Sequence, residues 1–256
     1  MKFKFTIQPY QTEAVDSVVN VFAGQPFNDR LTYRRDVSNE REIRQDFRNV
    51  GFSDEELFMG FANNAVRLTS EQLLKNVQNT QKRNNIVLDK SLVTGGLGAC
   101  SLDVEMETGT GKTYVYIKTM FELNKQYGWS KFIVVVPSIA IREGVRKSFE
   151  TMQEHFMEHY GKKARFFVYD SKNLAEIDNF SQSADINVMI INIQAFNARG
   201  KDARRIRTEL DDFGSRKPID VIKANRPIVI LDEPQKMGGT ATVDSYQSLL
   251  NIMGNL

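Results

Sequence analysis

Two kinds of apolar spacing alternate along the second half of the chain. Short continuous runs occur at Phe132-Ile133-Val134-Val135-Val136, at Asn187–Ile193 and at Pro227-Ile228-Val229-Ile230-Leu231. Such runs mark strands buried on both faces of a parallel sheet. Arg165–Tyr169 reads as a further strand. Leu102-Asp103-Val104-Glu105 alternates apolar and polar residues, as a half-buried strand does. Between these runs the spacing turns helical. Val115, Ile117, Met120, Phe121 and Leu123 define a helix from Lys112 to near Gly128, and Ser138 caps another that extends to about His159. A last helix is expected at Ser245–Met253. Repeated buried strands with helical crossovers predict an α/β fold, a mostly parallel doubly wound sheet flanked by helices.

The first hundred residues are organised differently. A short alternating strand near residue 3 leads into Gln8-Pro9-Tyr10-Gln11. Ala14, Val15, Val18, Val19 and Phe22 then recur at helical spacing up to Gly24. Residues 25–100, rich in Asn, Gln, Arg and Glu, read as a mainly helical insertion. Periodicity is clear over Asn39–Phe47 and Ser70–Gln81, the latter opened by a Thr69/Gln72 capping box. Phe52, Leu57, Phe58, Phe61, Val66 and Leu68 are its expected packing residues, and Gly95-Gly96-Leu97-Gly98 its exit turn. Nothing in the insertion points to chemistry. Residues 197–224 read as a long polar connection.

Composition narrows the class. With 41% hydrophobic and 26% charged residues in 256, a packed core is expected rather than disorder. A net charge of +2 is too small to signal nucleic acid, so any basic surface must be local. The single cysteine, Cys100, rules out an intrachain disulfide and fits a reducing cytoplasm. No apolar run reaches the roughly 20 residues of a membrane helix, and the polar N-terminal segment is unlike a signal peptide. The expectation is a cytoplasmic protein.

The chemistry concentrates in Met106-Glu107-Thr108-Gly109-Thr110-Gly111-Lys112-Thr113. Glycines between a strand and a helix let the backbone curl so that several N–H groups converge on one anion. The helix N-terminus adds its free donors and partial positive charge. Lys112 would sit against the outer phosphates of a nucleotide and the Thr113 hydroxyl would help to hold Mg²⁺. Met106 stands where the usual pattern begins with glycine, but the Thr-Gly-Thr-Gly-Lys-Thr core is intact. Asp232-Glu233-Pro234-Gln235 follows the last buried strand, and strand carboxyl ends are where such sheets place ligands. Asp232 is the second candidate metal ligand, and Glu233 a candidate to orient or activate an attacking water. Gln11 offers the donor and acceptor that pair with an adenine edge.

Tyr10-Gln11, Thr108–Thr113 and Asp232–Gln235, in this order, resemble the adenine-contacting motif, motif I and motif II of superfamily 2 helicases. Val136-Pro137-Ser138 and Ile193-Gln194-Ala195-Phe196 lie where that superfamily has motifs on its nucleic-acid face. Asp-Glu-Pro-Gln and the long insertion resemble the restriction (Res) subunit of type III restriction–modification systems. The resemblance implies a RecA-like first motor domain over 1–256, with the adenine motif in 1–24, the insertion in 25–100 and the phosphate-loop core in 101–256. A second RecA-like domain and a nuclease domain are expected outside this chain. It further implies ATP and Mg²⁺ as cofactors, and Lys112, Asp232, Glu233 and Gln235 as catalytic positions. ATP-driven movement on double-stranded DNA would serve cleavage in the full enzyme, beside a methyltransferase (Mod) subunit that reads sequence. Two other classes stay open: a nucleotide-switched interaction module, and another superfamily 2 helicase.

Two further patterns compete. His155-Phe156-Met157-Glu158-His159 matches the His-x-x-Glu-His spacing of inverted zinc peptidases, without a marked third ligand beyond arbitrary choices such as Glu122 or Asp170. Arg199, Lys201, Arg204, Arg205 and Arg207 form a basic cluster, balanced by Asp202, Glu209, Asp211 and Asp212, and the balance favours a solvated loop. Arg142, Arg146 and Lys147 make a milder patch.

Overall fold

The computed structural model describes residues 5–28, 31–34, 59–94, 98–196 and 205–237. Four strands form one parallel sheet: β3 (Lys131–Val136), β4 (Arg165–Val168), β5 (Asn187–Asn192) and β6 (Ile228–Leu231), in the order β4-β5-β3-β6. Two further strands, β1 (Leu31–Arg34) and β2 (Met59–Ala62), pair antiparallel as a separate ribbon. The helices are α1 (Pro9–Val19), α2 (Ser70–Arg83), α3 (Lys112–Tyr127), α4 (Ile139–Tyr160), α5 (Ala175–Gln182) and α6 (Pro218–Ala224).

The period of two along β3 and β5 divides the interior into two cores. Phe132, Val134, Val136, Val188 and Ile190 face α1, α3 and α4, together with Val15, Val19, Ile117, Met120, Phe121 and Phe156. Ile133, Val135, Met189 and Ile191 face the other way, onto Ile177, Phe180, Phe196, Phe213, Ile219 and Ile222. Alternate residues of one strand point to opposite faces, so a run apolar at every position needs cover on both sides. The result is a three-layer α/β/α sandwich, with β3 wholly buried at its centre.

Several elements depart from the sequence pattern. Leu102–Glu105 forms no strand: residues 101–107 are irregular, and Val104 is 48% exposed. Among the described residues no strand lies beside this segment, and alternation alone cannot satisfy its backbone N–H and C=O groups. Residues 5–8 are likewise irregular. The described part of the insertion contains the β1–β2 ribbon as well as α2. Tyr33 lies opposite Gly60, where a Cβ would come 2.5 Å from its ring, so only glycine accepts this pairing. α2 has its reciprocal cap, Gln72 N donating to Thr69 Oγ1 (3.2 Å) and Thr69 N to Gln72 Oε1 (2.9 Å). The 197–224 connection is less polar in fact than in pattern, because Ile206, Phe213, Ile219, Val221 and Ile222 are buried in the second core. Asn39–Phe47, Phe52, Leu57, Phe58, residues 95–97, Arg199, Lys201, Arg204 and Ser245–Met253 lie outside the described residues. Among the described residues no helix is long and apolar enough to cross a membrane.

Candidate functional site

The phosphate-loop candidate closes on its own backbone. The Glu107 carbonyl accepts from Thr110 Oγ1 (2.7 Å), Thr110 N (3.4 Å) and Lys112 Nζ (3.3 Å). Gly109 and Gly111 have φ of 83° and 88°, in the left-handed region that side chains with a Cβ rarely enter. Gly111 is the N-cap of α3, and its carbonyl accepts the first helical bond, from Val115 N, at 3.0 Å. Thr108 and Gly109 form an exposed crest. Met106, where a glycine is usual, packs its side chain against the first core. Its size therefore serves as an anchor for the loop and does not crowd the crest.

α1 reaches this loop from a distance of about a hundred positions. Tyr10 Oη and Gln11 Nε2 both donate to the Thr110 carbonyl, at 3.2 and 2.9 Å, while Gln11 Oε1 accepts from Gln8 N at 3.4 Å. A Cβ on Gly111 would lie 2.6 Å from Gln11 Nε2. The φ of residue 111 calls for glycine, and a Cβ there would also displace the Gln11 amide from the loop.

The acidic quartet arrives from β6. Asp232 N donates to the Val135 carbonyl at 2.9 Å, which continues the β3–β6 pairing and fixes where the side chain leaves the sheet. Burial pushes the Asp232 carboxyl above the usual range; the hydrogen bond from Tyr116 opposes this, the neighbouring Glu233 adds to it, and Lys112 and Lys236 oppose it from further off. Tyr116 Oη donates to Asp232 Oδ2 at 3.3 Å. Burial first, and the Asp232 charge second, hold the Tyr116 phenol well above its usual value. Thr113 and Asp232 present a hydroxyl and a carboxylate, hard oxygen donors of the kind Mg²⁺ takes. The donor set fits that ion.

Glu233 carries a φ of 57°, unusual for a residue with a side chain. Its Oε2 accepts from Gln235 Nε2 (2.6 Å) and pairs with Lys236 Nζ (3.3 Å). A left-handed residue two positions after the end of a strand is the kind of local strain that clusters at functional sites.

On the neighbouring strands, Gln194 Nε2 donates to the Pro137 carbonyl at 2.8 Å, joining the segments after β5 and β3. Ser138 Oγ accepts from Ile141 N at 3.3 Å as the cap of α4.

The competing patterns find internal partners. His155 is buried, its Nε2 3.1 Å from Tyr114 Oη, and His159 Nδ1 sits 2.8 Å from the His155 carbonyl. Among the described residues no group of three ligating side chains could hold a metal ion. Both histidines belong to an aromatic cluster with Tyr114 and Phe156. Arg205 Nε donates to the Ser171 carbonyl (3.0 Å) and an Arg207 guanidinium nitrogen to that of Phe196 (2.5 Å). Arg142 and Arg146 pair with Glu143, and Arg146 also with Glu150.

Tyr116 escaped the sequence reading. Its one signal was position, three residues after Thr113 and so on the same helix face. Also unforeseen was a buried polar network at the opposite end of the sheet. Asn63 Oδ1 accepts from Ser130 N (2.8 Å) and Lys131 N (2.9 Å), and its Nδ2 donates to the Lys131 (2.8 Å) and Arg226 (3.0 Å) carbonyls. Asn225 is joined to Ser181, which meets Tyr33 Oη at 2.6 Å.

Comparison with known proteins gives the family. The profile of the family described as "Type III restriction enzyme, res subunit" matches residues 4–255. The EcoP15I Res subunit of Escherichia coli is 29% identical over 253 residues, 91% of this chain and 23% of that protein. The EcoPI Res subunit of Escherichia phage P1 is 28% identical over 244 residues, 89% of this chain and 23% of that protein. The StyLTI Res subunit of Salmonella typhimurium is 36% identical over 157 residues, 53% of this chain and 16% of that protein. The chain thus spans about a quarter of the length of the first two relatives. With a family match over nearly its whole length, the chain belongs to the type III restriction enzyme Res subunits, and what it carries is their RecA-like, helicase-type motor domain.

Proposed function

We propose that this chain binds Mg-ATP and drives movement along double-stranded DNA, serving endonucleolytic cleavage in a full enzyme that includes a sequence-reading Mod subunit. The observation that carries this reading is the Tyr116–Asp232 hydrogen bond, which brings the segment after β6 against the start of α3, where Lys112 and Thr113 stand, from positions more than a hundred residues away. In this reading Thr108–Thr113 wrap the phosphates with backbone N–H groups, and Lys112 swings from the Glu107 carbonyl to the outer phosphates. Thr113 and Asp232 hold the Mg²⁺, which when bound neutralises charge on the phosphate oxygens. Glu233, released from Gln235 and Lys236, orients the attacking water, and Gln11 reads the adenine edge with Tyr10 beside it. The Gln194–Pro137 contact lies on the face that would meet the nucleic-acid backbone.

The test is Mg²⁺-dependent binding of a fluorescent ATP analogue, with wild type beside Lys112→Ala and with ATP and GTP as competitors. The expected result is saturable binding, ATP preferred, weakened at least roughly a hundredfold in the variant at unchanged folding. Equal binding by both proteins would defeat the reading. Duplex-DNA binding that weakens steeply with salt separates the motor from a nucleotide-switched interaction module, since only a motor needs a phosphate-backbone footprint.

A further inference from the structure

We propose that Tyr116 is a positioning residue for Asp232, one of the two metal-holding side chains, so that metal and nucleotide strengthen one another's binding. The inference deepens the nucleotide reading above and rests on it. Thr113 and Asp232 come from different elements, the first turn of α3 and the turn after β6. Tyr116 lies three residues beyond Thr113, on the same face of α3, and its hydroxyl donates to Asp232 Oδ2 at 3.3 Å. Its ring packs against the first core with Tyr114 and Val115, so the hydroxyl is carried on a rigid base. Asp232 is held at its own backbone by the bond to Val135. What is left to be set is the rotation of its carboxylate, and the Tyr116 hydroxyl is the neutral donor in a position to set it.

The Tyr116 hydroxyl gives its proton to Asp232 Oδ2 and leaves the other carboxylate oxygen for a cation. A hydrogen bond of 3.3 Å is longer than the usual 2.7–2.8 Å for hydroxyl donors. Closing that gap as the cation is gripped would make the bond strongest in the metal-bound state. Interactions stronger in one ligation state are what produce coupling between two ligands.

Tyr116→Phe keeps the ring and removes only the hydroxyl. Affinity for the fluorescent ATP analogue is to be measured in EDTA and across an Mg²⁺ titration, with Mn²⁺ binding followed by electron paramagnetic resonance. The expected result is near-normal affinity in EDTA and a metal-induced gain in affinity smaller by about tenfold, as for loss of one hydrogen bond to a charged group. A gain equal to that of wild type would overturn the proposal while leaving nucleotide binding standing. Failure of the wild type to bind nucleotide would defeat the nucleotide reading and this proposal together. Asp232→Asn supplies the second arm. If Tyr116 acts through Asp232, adding Tyr116→Phe to Asp232→Asn changes the metal-induced gain no further; additive losses would overturn it. Thermal melting of each variant without ligand accompanies the titrations.

Discussion

The two ends of the parallel sheet spend their polar groups in opposite ways. At the amino end, Asn63, Asn225, Ser181 and Lys131 are buried and bonded, and one Asn63 side chain answers two N–H groups and two carbonyls. The Lys131 amine is wholly buried, capping the Phe180 and Ser183 carbonyls at the end of α5 and lying 5.1 Å from the Phe180 ring centre. At the carboxyl end, Asp232 and Glu233 are only half-buried, Glu233 is in a left-handed backbone, and Lys112 rests on a loop carbonyl. One end is a closed network whose members satisfy one another. The other keeps charges that can change partners, as ligand binding requires. Burial of polar groups is therefore no guide to function by itself; satisfaction is what separates the two ends.

The largest effect expected is kinetic. Glu233→Gln should lower ATP hydrolysis by the full enzyme by about 10²–10⁴-fold, the usual worth of a general base, with ATP-analogue affinity nearly unchanged. Loss of binding in parallel with turnover would mark Glu233 as a structural residue and blur the contrast.

At the other end Asn63→Ala should act on stability alone. It strips partners from the buried N–H groups of Ser130 and Lys131 and from two carbonyls. The expected loss is about 3 kcal/mol by denaturant unfolding, with nucleotide binding intact wherever the protein remains folded.

A third prediction concerns pH. Burial pulls the Lys131 amine from 10.5 down to about 7, with the Asp185 carboxylate opposing. Between about pH 7 and 10.5 the unfolded chain holds a proton that the folded chain has released, so stability should rise with pH across that window. At its steepest the contribution is roughly 1.4 kcal/mol per pH unit. Lys131→Met should flatten that component in melts taken across the window; an unchanged slope would show that the amine stays charged in place.

Smallest is Gln11→Ala, which should reduce the preference for ATP over GTP by about tenfold or less in competition binding, the range of one or two hydrogen bonds. Equal weakening towards both nucleotides would assign Gln11 to loop support through Thr110 alone.

How much of this was legible in the sequence differs by element. Strands β3 and β5 announced themselves because burial on both faces demands apolar runs, whereas β6 has the same apolar run but is only half-buried at the edge of the described sheet. The Thr69/Gln72 cap and the Gly128 stop are local chemistry, readable from a few residues. The strand expected at Leu102–Glu105 failed because alternation states which face is apolar but not whether a neighbour exists to pair with. The β1–β2 ribbon was missed because its eight residues lie far apart in the chain, and Tyr33 with Gly60 is recognisable only once paired. In the site, Lys112, Thr113 and Asp232 followed from motif spacing. Tyr116 did not, since a tyrosine three residues along a helix has no meaning until Asp232 is seen opposite it.

Local propensity and periodicity, then, determined the α/β class, the order of the central strands and helices after Lys112, and the identity of the loop and the acidic quartet, because each depends on residues within one turn or one strand. Tertiary structure decided which polar groups meet: Gln11 with Thr110, Tyr116 with Asp232, Asn63 with the start of β3. Hydrogen bonds act over about 3 Å, and only folding brings residues 68 to 116 positions apart to that range. Polar residues stand at both ends of the sheet, and it is the completeness of their bonding, set by packing, that makes one end a strut and leaves the other with charges that can change partners.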